Sequence, residues 1–348
     1  MLITRYGTIF GHAPLQTGRV HLVAPSSPYY IDGDQYDASN DNDGLHPTRA
    51  LSTIAQAQTN AIANAGEVVM LLEGTHAHTA TLRLNKAGVT YLGVRPSSAS
   101  ERHSPAVWGG VLPKTIVSFV GAAAPGLSIE ADNIEIGFVT VRPAPTFSTV
   151  IFRNADPDGF YFHDFVIDFT LGQPSLSTIG IDFGYRADTA GLVGTSMSRL
   201  RQTTQRATAY ISDFSILSRG AYGPGILTAT ADATVVNGRF HTRAGAWATA
   251  FAVATGTGYI FVKSCTWTGQ ALTAHGSQLD GTNAGIVSSK VTAHDCRFHP
   301  KQPGVNSPAD NWTAGVLYMA ECYEGNNNLN VPVGLFGLST AYQTISSV

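Results

Sequence analysis

The chain has 348 residues, enough for one or two domains, and carries a net charge of −3, which gives no electrostatic case for a nucleic-acid partner. Charged residues make up only 13%, about half the usual share, while glycine reaches 36, a balance that points to a rigid, turn-rich β structure. No apolar run approaches the length of a membrane span, the opening MLITRYGTIFGHAPLQ lacks a basic region followed by an apolar one, and three widely spaced cysteines suggest neither a disulfide framework nor a zinc site.

Residues 1–22 are punctuated by Gly7, Gly11, Pro14 and Gly18 and keep no period, so they read as an extended N-terminal arm. The arm nevertheless holds Leu2, Ile3, Tyr6, Ile9 and Phe10, apolar side chains that gain little in water and are candidates for contact with a neighbouring subunit or another partner surface. His21 to Ala24 reads as a first short strand. A polar loop follows with Asp32, Asp34, Asp37, Asp41 and Asp43. These acids invite a calcium reading, but the EF-hand spacing fails, with Ser39 at the first ligand position and Ala50 at the bidentate one. Asx turns and helix capping are the simpler reading.

Leu51, Ile54, Ala55, Ala61, Ile62 and Ala65 fall on one helix face, with Gln58 the exception, which predicts a capping helix over about 51–65. Ser52 or Thr53 can serve as N-cap and Gly66 as the C′ residue. Val68 to Leu72 is a buried strand, stopped by a tight turn at Glu73-Gly74-Thr75.

After residue 115 a repeat takes over. Ile134-Glu-Ile136-Gly-Phe138-Val139-Thr-Val141 aligns with the segments that start at Phe160, Ala209, Ala233, Ile260, Val291 and Leu317. The pattern is apolar, any, apolar, any, small polar, apolar, any, large apolar. It describes two short strands meeting at a polar corner. Most steps between corners match one coil of a parallel solenoid, but the step from Asp164 to Asp213 is 49 residues and holds an extra coil or an insertion around 171–206. About ten coils stacked at ~4.8 Å would make a rod of roughly 50 Å. The fold class is therefore all-β: a right-handed single-stranded parallel β-helix over residues 23–325, with the helix near its N-terminal end and a C-terminal cap or tail over 326–348. Cys265, Cys296 and Cys322 occupy one repeat position and should form an inward column of small hydrophobes. The column Asp164, Asp213, Asn237, Ser264, Asp295 and Glu321 reads as a corner ladder.

A resemblance joins this reading. Asp43-Gly44-Leu45-His46-Pro47-Thr48-Arg49-Ala50-Leu51-Ser52-Thr53-Ile54-Ala55-Gln56-Ala57 resembles the opening of pectate-lyase-like right-handed parallel β-helices, a scaffold common in tailed-phage proteins. More narrowly, Gly18 to Val23 and Gly66 to Thr79 resemble segments of environmental phage virion proteins, and the similarity spans roughly residues 17–325. The resemblance implies a structural protein that decorates the capsid surface as a cement or head-spike component, forms a homotrimer and contacts the major capsid protein. The same scaffold carries enzymes, so two alternatives stand beside it. One is a tailspike-like polysaccharide lyase or hydrolase, with Asp164, Asp168, Asp182 with Arg186, and Asp280 as candidates. A glycosidase needs two carboxylates about 5–9 Å apart, and these acids form no recognisable constellation. The other is an adhesin for host-surface glycans, with Tyr185, Tyr222, Trp247 and Trp312 as stacking candidates. No catalytic, cofactor-binding or metal-ligating residue is assigned, and no nucleic-acid or membrane partner is expected.

Overall fold

The computed structural model describes residues 18–94, 113–120, 126–143, 149–153, 159–168, 179–182, 208–218, 226–228, 232–242, 251–253, 259–269, 279–280, 290–299, 316–320, 323–326, 329–332, 335–336 and 342–343. The arm residues Leu2, Ile3, Tyr6, Ile9 and Phe10 lie outside this range.

The architecture is a parallel β-helix whose coils present three faces. A 19-stranded sheet wraps around one corner and supplies two of them, and a seven-stranded sheet supplies the third. On the first face, ten described strands stack in parallel, from Val20–Val23 to Val316–Ala320. At ~4.8 Å per strand this face runs for roughly 43 Å. The long strands Phe160–Asp168, Thr208–Ser218 and Asp232–Thr242 continue from the first face into the second without a break.

Every row of the sequence repeat lands in register. Ile136 pairs with Phe162, Phe162 with Ile211, Ile211 with Val235, Val235 with Val262, Val262 with Ala293, and Ala293 with Met319. Phe160–Asp168 and Thr208–Ser218 are direct neighbours, so the 49-residue step holds an insertion and not an extra coil.

The small polar corner has a local cause. Asp164, Asp213, Asn237, Ser264 and Asp295 all sit at φ between 48° and 54°, the left-handed region that Asp and Asn tolerate best. Phe138 holds the same position at φ 56°, a bulky residue in a conformation that costs on the order of 1–2 kcal/mol. Glu321 and Cys322 fall outside the described residues.

Inside the corner one column runs Val139, Phe165, Phe214, Gly238, Cys265, Cys296, all buried. The Phe165 and Phe214 rings stack at 5.3 Å and 8°. A Cβ on Gly238 would come within 2.3 Å of Phe214 Cζ, so the ring occupies the space that a side chain there would need. Cys265 and Cys296 are free thiols and fully buried. On the third face one register row runs Leu82, Leu127, Ile151, Ile181, Ile226, Phe251, Leu279, and Leu82 and Leu127 are buried.

The N-terminal coils differ from the sequence expectation in two places. The helix spans Ile54–Asn60, shorter than 51–65, with Thr53 as N-cap accepting from Gln56 N–H. Its carboxyl end is set by Glu67. The Ile62 N–H, which would have extended the helix, donates to Glu67 Oε2 at 2.9 Å. Ile62 then turns outward and is 56% exposed, and Gly66 closes a later turn at φ 66°. The helix packs on Val20–Val23, Val68–Leu71 and Leu82–Leu84, the last being the outermost strand of the third face. Gln58, the exception in the apolar stripe, is buried, donating to Asn85 and accepting from the Tyr91 hydroxyl. The turn at Glu73 leads straight into a further strand, Gly74–His78, on the second face.

At the far end, Leu329–Pro332 and Leu335–Phe336 pair antiparallel with the last coil, and Tyr342–Gln343 adds to them. Reversing direction ends the parallel ladder and covers part of its edge.

Candidate functional site

The outward-facing positions of the repeat, left as "any" in the sequence pattern, hold a cluster of interacting polar and aromatic side chains. It sits on the first face near the corner. Strands Glu135–Gly137 and Phe160–Asp168 place Glu135, Tyr161 and His163 side by side, because residues two apart on a strand share a face. Gly137 makes the arrangement possible. It lies opposite His163, and a Cβ there would sit 2.5 Å from His163 Cε1.

His163 Nε2 lies 3.0 Å from Glu135 Oε1, and His163 Nδ1 lies 2.8 Å from Asp164 Oδ2. Thr90 Oγ1 donates to the other Glu135 oxygen at 3.2 Å. Burial pushes the His163 imidazole down, but the two carboxylates outweigh it and raise its pKa to about 9. The ring is therefore an imidazolium at neutral pH, donating from both nitrogens. It has no free lone pair, and its pKa is far from that of a general base working near pH 7. It acts as a fixed cation.

Aromatic rings surround it. Phe138 meets the imidazole edge-on at 5.3 Å, and Tyr161 stacks on it at 4.3 Å and 23°. A cation against an aromatic face is attractive. Tyr210, one coil further, meets Tyr161 at 5.3 Å and is 42% exposed. Burial raises the pKa of the Tyr161 hydroxyl, with a hydrogen bond to Ser212 partly offsetting it.

The acids singled out from the sequence do not converge. Asp164 is committed to His163. Asp168 is buried and accepts from Arg142 Nε at 3.1 Å. Asp182 and Asp280 share a register column on the third face, separated by Leu227 and Ala252. Three strand spacings put them roughly 14 Å apart, too far for a carboxylate pair flanking a glycosidic bond. Arg186, Tyr185, Tyr222, Trp247 and Trp312 lie outside the described residues.

The acidic loop is accounted for by local structure. Asp32 and Gly33, at φ 56° and 95°, form the two-residue turn of the hairpin Tyr29–Ile31/Asp34–Tyr36. Asp43 accepts from Leu45 N–H and pairs with Arg49 at 2.8 Å, and Asp37 accepts from Ser27. Among the described residues no group of three or more His, Cys, Asp or Glu is placed to hold a metal ion. No described helix is long and apolar enough to cross a membrane.

Sequence reasoning missed Glu135, Tyr161, His163 and Tyr210. The signal was present in the alignment, since reading the outward positions down the rows puts Tyr161 above Tyr210.

In fold, the chain is similar to the pectin methylesterase from Aspergillus niger in deglycosylated form, with a TM-score of 0.53, 11% identity, and 90% of this chain and 94% of that chain covered. It also aligns with pectate lyase Pel9A at a TM-score of 0.49 and 12% identity, covering 90% and 79%. At such identity the first of these shows a shared parallel β-helix and leaves the chemistry open. No protein-family model matches the chain, and no curated protein matches it.

Proposed function

We propose that the chain is a structural protein of a tailed-phage virion, a homotrimeric β-helix that decorates the capsid surface and contacts the major capsid protein. The observation that carries this reading is the commitment of the candidate acids. Asp164 is tied to an imidazolium and Asp168 to a guanidinium, while Asp182 and Asp280 lie too far apart to cooperate. The segments Gly18 to Val23 and Gly66 to Thr79 add to it through their resemblance to virion proteins.

The test is the particle itself. Mass spectrometry and labelled electron microscopy of purified virions should find the protein on the head. Deleting residues 1–16 should leave the cooperative melting of the rod intact and abolish incorporation. Absence from purified particles would sink the proposal.

A polysaccharide-processing tailspike is the second reading. It is favoured by the fold likeness to an enzyme that carries the name pectin methylesterase. Incubating the purified protein with host capsule or lipopolysaccharide and assaying new reducing ends and unsaturated uronates separates the two. Turnover that disappears in Asp164→Asn or Asp182→Asn would favour the enzyme.

A further inference from the structure

The outward column that begins at Tyr161 continues along the first face. The register runs Tyr161, Tyr210, Thr234, Phe261, Thr292, Tyr318. From Tyr210 onward an aromatic residue therefore occupies every second strand, with a threonine between. Two strand spacings separate successive aromatic positions by roughly 10 Å. That is about the length of a disaccharide unit in an extended β-linked hexose chain.

The ring described most fully is also the best prepared. Tyr210 rests against Tyr161, Tyr161 lies on His163, and His163 is held by Glu135 and Asp164. A half-exposed ring fixed from below loses little rotamer freedom when a ligand stacks on it. Phe261 is also partly exposed, while Ile211 and Val262 beside these rings are buried. The alternation places Tyr210, Thr234 and Phe261 on the outer side.

Charge narrows the ligand. The corner next to the column carries Asp164, Asp213 and Asp295, with Asn237 bonded to Asp213 at 3.1 Å and Ser264 to Asp295 at 2.9 Å. Carboxylates and amides accept from hydroxyl groups, and a row of acids repels a polyanion. Lys263, which is exposed, stands two residues after Phe261, and Lys290 holds the register position two residues before Thr292.

We propose that the first face is a binding surface for a neutral, extended glycan, laid along the rod axis with sugar rings stacked on Tyr210 and Phe261. Tyr318 holds the next aromatic register position. Thr234 and Thr292 lie at the intervening positions, and the corner acids and amides receive sugar hydroxyls. This assignment stands whether or not the protein belongs to a virion.

The experiment uses the full chain on a printed array of neutral β-linked hexose oligomers and polyuronates, followed by calorimetry with whichever glycan is retained. Neutral oligomers should bind and polyuronates should not. Tyr210→Ala and Phe261→Ala should each weaken binding about three- to tenfold, the loss of one stacking contact. Tyr210→Phe should bind nearly as the parent does, since the ring and not the hydroxyl does the stacking. Melting of each variant shows whether the rod is intact, and Phe261→Ala carries the test if Tyr210→Ala unfolds. Retention of no neutral glycan, preference for polyuronates, or equal affinity in folded Tyr210→Ala and Phe261→Ala would each overturn the assignment.

Discussion

The first coils and the middle coils solve the same packing problem with different chemistry. In the first coils, buried polar groups do much of the joining. Glu67, 2% exposed, accepts from Arg19 Nε at 2.8 Å, His21 Nε2 at 3.0 Å and the Ile62 N–H. His76 is buried against the Leu72 carbonyl, and Thr115 donates to the Leu71 and Leu72 carbonyls. In the middle coils the interior is a set of apolar columns, with Phe160, Phe162, Phe165 and Phe214 its largest fully buried side chains. An interior coil has a copy of itself above and below, so identical side chains can stack. The first coil has a neighbour on one side only, and its free carbonyls and turn N–H groups must find side-chain partners.

The largest test of this contrast is Phe214→Ala. It removes a ring stacked between Phe165 and Gly238 and should cost about 3–5 kcal/mol, read as a drop in the urea midpoint. If Phe214→Ala costs under about 1 kcal/mol, the column is not the source of cohesion.

Glu67→Gln should cost about 2–3 kcal/mol, because Arg19 and His21 lose a charged acceptor and part of the desolvation cost stays. Burial pushes the Glu67 carboxyl up, yet the hydrogen bonds from Arg19, His21 and the Ile62 N–H hold it below the usual range. Amide exchange should rise across 54–72 and leave Thr208–Ser218 and Asp232–Thr242 protected. Uniform exchange along the rod would show that the first coils do not open separately.

The two regions should also answer pH in opposite directions. Burial lowers the His78 pKa to about 4, with His76 adding to it. The unfolded chain takes up that proton first, so stability is full above about pH 6.5 and falls as pH drops toward 4. His163 is raised to about 9 by its carboxylates against the opposing effect of burial. Its contribution is full below about pH 6.5 and is lost as pH rises toward 9. Each swing is on the order of 2–3 kcal/mol at full extent. His78→Gln should flatten the acid limb and His163→Gln the alkaline one. If each variant leaves its limb unchanged, these side chains do not set the profile.

Cys296→Ala is the smallest test, at about 1–2 kcal/mol for a small cavity. Cys265 and Cys296 should react with thiol reagents only after unfolding, and fast labelling of the native protein would place them at the surface.

The sequence by itself determined the solenoid and the register of its rows from Ile134 onward. Inward and outward positions alternate with period 2, and a left-handed corner selects Asp, Asn or Ser from the local backbone alone. Both signals survive without tertiary knowledge, which is why the rows from Ile134 to Leu317 aligned in true register. The helix at 54–60 was legible as a helix, but its end was not, because a residue outside it, Glu67, captures the Ile62 N–H. Tertiary structure alone decided what the outward positions do. A single row shows Tyr161, His163 or Tyr210 as an unremarked polar or aromatic residue between apolar ones. Only stacking the coils brings Glu135, Tyr161, His163 and Tyr210 into contact, since their neighbours across the sheet lie one coil away in the chain. The spacing of Asp182 and Asp280 was settled the same way, by counting the strands that the fold inserts between them.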